Sequence, residues 1–112
     1  MNYPIVGIGT ANNKAGQFIK DRVNFIGSNF YGQVTSPEGI EPSFTSYGQL
    51  PNTHIDLMIK DNPSYIVWSY ATPIAWVTSN GQWVIPSLKY SVTTSKHQSL
   101  VRGATQSWVS LS

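Results

Sequence analysis

The hydrophobic pattern is strongest in the second half of the chain. Tyr65-Ile66-Val67-Trp68-Ser69-Tyr70 is dense in β-branched and aromatic residues and predicts a strand. Its alternate faces, Tyr65/Val67/Ser69 and Ile66/Trp68/Tyr70, both carry large apolar groups, so the strand is expected in the sheet interior. Ala71-Thr72-Pro73 is expected to break or bend the ladder, because Pro73 has no amide to donate. Ile74–Val77 and Gln82–Ile85 then flank Thr78-Ser79-Asn80-Gly81. Asn80-Gly81 predicts a two-residue hairpin turn with positive φ at both residues. Leu88–Thr93 alternates Leu88, Tyr90 and Val92 against Lys89, Ser91 and Thr93, which predicts a half-buried third strand. Ser95 through Gln98 has the Ser-x-x-Gln spacing of a capping box, placing a helix start at Ser95 with His97 at its second position and a stop at Gly103. Trp108–Leu111 reads as a final strand.

The front half is patterned more weakly. Tyr3–Gly9 predicts a short strand weakened by its two glycines. Ala15, Phe18, Ile19 and Val23 recur at helical spacing between Asn13 and Asn24, with Asn12 or Asn13 as the cap. Phe25-Ile26-Gly27 leads into a Gly, Pro and Ser-rich tract, and Ser36-Pro37-Glu38-Gly39 predicts a turn within a loop over 36–46. Thr53 and Asp56 predict the start of a helix with the stripe Ile55, Met58 and Ile59, ended by Asp61-Asn62-Pro63. These elements define one α+β domain over 1–112: an antiparallel sheet of three to five strands with two or three short helices. Residues 1–46 form a glycine-rich front section and 99–112 the helix end and last strand.

Composition narrows the function classes. The 112 residues suffice for one ordinary core, and 40% are apolar while only 11% are charged. So few charges leave a surface of Asn, Ser, Thr and Gln and favour a partner or a second copy covering part of it. The formal charge is +2, and Lys14, Lys20, Arg22, Lys60, Lys89, Lys96 and Arg102 are spread along the chain rather than clustered for phosphate contacts. Without cysteine there is no disulfide, thiolate zinc site or cysteine nucleophile. No segment approaches the roughly 20 apolar residues of a membrane span, and Met1-Asn2-Tyr3-Pro4 lacks the start of a signal peptide, so no membrane association is expected.

Ser69-Tyr70-Ala71-Thr72-Pro73-Ile74-Ala75-Trp76 and Tyr90-Ser91-Val92-Thr93-Thr94-Ser95-Lys96-His97-Gln98, preceded by Gly48-Gln49-Leu50-Pro51, resemble a small domain of phages and prophages of Gram-positive bacteria. The resemblance covers about residues 47–98. It implies a phage or prophage origin and residence in the host cytoplasm, and assigns no catalytic role.

The candidate chemistry centres on His97, which can donate to a ligand and titrate near neutral pH. Thr93, Thr94, Ser95 and Gln98 form a candidate polar rim, with Lys96, Lys89 and Tyr70 beside it. The competing structural role for this string is a cap and strand end. A hydrolase needs a nucleophile, an oriented base and an oxyanion site, which Ser91 or Ser95 with His97 does not establish. His54, Asp56 and Asp61 make no metal-binding pattern, and no cofactor motif is present. Tyr65, Trp68, Tyr70, Trp76, Trp83 and Tyr90 serve base stacking if exposed, and the core or an interface if not. The reading that combines these features is a non-catalytic phage accessory protein binding a host or phage protein. A nucleic-acid-binding module and a small enzyme or ligand-binding domain at His97 are the alternatives, and a homo-oligomer is open.

Overall fold

A computed structural model describes residues 8–9, 14–27, 29–35, 50–70, 72–87, 91–105 and 107–111. Among the described residues, seven strands form one sheet in chain order: β1 (Ile8–Gly9), β2 (Phe25–Ile26), β3 (Phe30–Val34), β4 (Tyr65–Ser69), β5 (Thr72–Val77), β6 (Trp83–Pro86) and β7 (Val109–Leu111). The five central strands, β2 to β6, are antiparallel. The outer pairs β1–β2 and β6–β7 are parallel. Parallel neighbours need a crossover, usually helical, and each outer pair has one: α1 (Ala15–Lys20) and α3 (Val92–Ala104). The remaining helix, α2 (Asn52–Lys60), lies between β3 and β4 in the chain. The fold is α+β, with three short helices among the described residues packed on a mixed sheet.

The alternation of side chains along β4 assigns the layers. Tyr65 and Val67 join Phe25, Phe30, Ile74, Val77, Trp83 and Ile85 in a core closed by Ala15 and Ile19 of α1 and Val101 of α3. Ile66 and Trp68 face the other way with Trp76 and Val84, against Met58 of α2 and Leu50. All five β4 residues are buried, as expected of an interior strand. Tyr65, Trp68, Trp76 and Trp83 are therefore core residues. Each ring removes roughly 150–250 Å² from water, so base stacking has none of these four available. Tyr70 is exposed, and Tyr90 lies outside the described residues.

Several local expectations are corrected. Pro73 does not break the sheet; it lies within β5 opposite Trp68, beside a register shift that absorbs Ile74 as an extra residue. Only Gly81 of the hairpin has positive φ (+85°). Thr78 and Gln82 close a three-residue loop in place of the two-residue one. Helix α2 begins at Asn52, where the Pro51 carbonyl accepts from both His54 and Ile55, so Thr53 and Asp56 make no capping box. The buried face of α2 is His54 and Met58, while Ile59 is exposed. Asn62 with φ +49° followed by Pro63 ends it as anticipated.

Helix α1 is shorter than its pattern. It stops at Lys20, Arg22 has φ +55°, and Val23 is exposed. Helix α3 starts one turn before the predicted Ser95. Ser91 is its N-cap, and its hydroxyl accepts from the Thr94 amide at 3.1 Å. Residues 91–93 are thus a cap and first turn, not the end of a third strand, and Gly103 is still helical. The predicted Asn12 or Asn13 cap, the 36–46 loop and the Leu88-Lys89-Tyr90 part of that strand lie outside the described residues. β2 and β3 occupy the tract after Phe25 that sequence assigned to no element.

Candidate functional site

Starting α3 at Val92 determines which of its residues meet the sheet. Thr94, His97, Gln98 and Val101 are buried, spaced i, i+3, i+4 and i+7 on one helical face. That face meets the end of β4, where Ser69 points into the same layer as Val67. Ser69 Oγ lies 3.0 Å from Thr94 Oγ1 and 2.7 Å from His97 Nδ1. Ser91 Oγ donates to Thr94 Oγ1 at 3.1 Å while accepting from the Thr94 amide. The imidazole stacks flat on Phe30, with ring centroids 4.3 Å apart.

One proton arrangement lets each hydroxyl donate once: Ser91 to Thr94, Thr94 to Ser69, and Ser69 to His97 Nδ1. It requires neutral imidazole with its proton on Nε2. Burial lowers the His97 pKa below the ordinary histidine value, which favours that state. Protonation at Nδ1 would reverse the Ser69 hydroxyl toward Thr94, whose oxygen already accepts from Ser91.

The Ser69–His97 distance suits a nucleophile and base, but exposure argues for another use. Ser69 is 1% and His97 2% exposed, so a substrate carbonyl cannot reach the hydroxyl. The cluster ties α3 to β4. Sequence reasoning passed over Ser69; a serine on the otherwise apolar Tyr65/Val67 face was the available signal.

The other predicted residues separate into two sets. Thr93, Ser95 and Lys96 line an open cleft of about 690 Å³ with Val92, Ser99 and Leu100, and the buried His97 backs its wall. Thr94 and Gln98 turn inward from that cleft. Tyr70 sits at the β4–β5 turn with φ +55°, half exposed and absent from the cleft lining. Lys89 lies outside the described residues.

A second cleft of about 400 Å³ runs between α1 and α3, lined by Gly16, Gln17, Lys20, Gly103 and Ala104, and shares Ser99 and Leu100 with the first. On the α2 side, the buried Gln33 Nε2 and His54 Nδ1 have no hydrogen-bond partner, although Gln33 Oε1 accepts from Trp68 Nε1 at 3.0 Å. Among the described residues, no group of three or more His, Asp or Glu side chains is placed to hold a metal ion. None of the described helices is long and apolar enough to cross a membrane.

No curated protein and no solved structure matches the chain. A family model does match, over residues 14–108, which takes in α1, α2, α3 and β2 to β6. The chain belongs to that family, described as a family of unknown function (DUF8033).

Proposed function

We propose that this chain is a small phage accessory protein that binds a host or phage protein and carries out no covalent chemistry. The observation that carries the reading is the division of labour along α3. Its inward face spends the reactive-looking Ser69, Thr94 and His97 on anchoring the helix. Its outward face lines two adjoining open clefts, one of them shared with α1. The phage setting and host-cytoplasmic residence rest on the 69–76 and 90–98 motifs.

Affinity isolation from phage-infected cells, with a parallel nuclease-treated sample, tests this reading. A protein that survives nuclease treatment and then binds the purified chain stoichiometrically in calorimetry is the expected result. Recovery of nucleic acid alone, or loss of binding once both proteins are purified, overturns it.

A further inference from the structure

Folding gathers charges that the sequence scatters. Lys14–Arg22 and Ser91–Thr105, the segments of α1 and α3 with their caps, hold Lys14, Lys20, Arg22, Lys96 and Arg102 against the single acid Asp21, a net charge of +4 where the whole chain has +2. The α2 segment from Leu50 to Asp61 holds Lys60 against Asp56 and Asp61. The two helical layers thus carry opposite charge.

Arg22 is engaged, donating to the Gly81 carbonyl at 3.2 Å and lying over the Trp83 ring. Lys14, Lys20, Lys96 and Arg102 form no ion pair among the described residues. Lys20 stands at the cleft between α1 and α3, and Lys96 at the adjoining cleft along the outer face of α3. Leu100 supplies apolar surface to both clefts, Ala104 extends it in one, and Val92, 76% exposed, stands at the mouth of the other. The helices pack closely at Gly16, where an added Cβ would make an ordinary contact with the Ala104 methyl at 3.7 Å. Gly103 faces open space.

Resting on the protein-binding reading above, we propose that the outer face of α3, together with the α1–α3 groove it adjoins at Ser99 and Leu100, is the docking surface and that its occupant is an acidic segment of the partner protein. The segment presents carboxylates to Lys20 and Lys96 and one or two apolar side chains to Leu100 and Val92. Charge complementarity selects the sign of the partner, and the apolar floor favours a peptide over a nucleic-acid backbone. Stacking on rings, which a single strand uses, has no platform here: Tyr65, Trp68, Trp76 and Trp83 are in the core, and the exposed Tyr70 and Trp108 line neither cleft.

The test is selection of a random-peptide display library on the intact protein, followed by binding of the recovered peptide to wild type and to K20E/K96E. Enrichment of Asp and Glu together with Leu, Ile or Phe is expected, with affinity that falls as salt rises. Charge reversal is expected to weaken binding about ten-fold or more, because rim charges govern association and its salt dependence. Both lysines are exposed, and an unchanged thermal midpoint verifies folding; K20Q/K96Q, expected to show a smaller loss in the same direction, replaces the reversal should its midpoint move. Selection without acidic enrichment, binding insensitive to both double variants, or tighter binding of an oligonucleotide of matched charge overturns the proposal. A partner that binds the K20E/K96E protein as well as wild type leaves the protein-binding reading standing and removes only this groove.

Discussion

At the scale of single residues, His97 gives the sharpest consequence. Its folded-state pKa is depressed by burial, while the unfolded chain keeps the ordinary value of 6.5. Below about pH 6.5 the unfolded state binds a proton that the folded state refuses, so stability is lost as pH falls toward the folded pKa. Urea midpoints are expected to stay level above neutrality and to fall as the pH drops below about 6.5. In His97→Asn, whose amide oxygen can take the place of Nδ1 as acceptor, that part of the slope is expected to disappear. Equal slopes in the two proteins would count against a buried neutral imidazole. Gly32 is the second such residue. A Cβ there would collide with the Phe25 ring and with the Tyr65 hydroxyl, which donates to the Val23 carbonyl at 2.8 Å. Gly32→Ala is expected to lower the unfolding free energy by about 2 kcal/mol, in the range of core overpacking, as read by chemical denaturation. A neutral effect would show that these rings have room to move.

At the scale of elements, the physical reasons for success and failure in the sequence separate clearly. Strand β4 was legible because five consecutive residues chosen for strand geometry are also buried on both faces, so propensity and packing agree. The end of α2 was legible because Asn62-Pro63 acts through local backbone restriction alone. Helix α3 was misplaced by one turn because Val92, Thr93 and Thr94 have β-branched side chains and alternate plausibly with Tyr90 and Ser91. Their helical state depends on Thr94 and His97 reaching Ser69, a contact 25 and 28 residues away that no local pattern reveals. Strand β3 was missed for the same reason: Gly32 weakens it locally and is required only by Phe25 and Tyr65 packed over it. Within the candidate string 93–98, the division into inward Thr94, His97 and Gln98 and outward Thr93, Ser95 and Lys96 depends on the helix start, which the local pattern does not give. The capping assignment is directly testable. Ser91→Ala is expected to cost about 1 kcal/mol and Ser95→Ala a few tenths at most, measured side by side by urea denaturation. The reverse order would restore Ser95 as the cap.

At the scale of the whole molecule, one sheet is covered by α1 and α3 on one side and by α2 on the other, with net charge of opposite sign on the two helical layers. Tyr65, Trp68, Trp76 and Trp83 build the two cores, and the proposed recognition surface lies on the helices instead. Amide NMR mapping of the intact protein with an acidic peptide recovered from the display library tests this most directly. The account predicts perturbations concentrated at Gln17, Lys20, Lys96, Ser99 and Gly103, with α2 unchanged. Perturbations centred on α2, or spread evenly through the sheet, would contradict it.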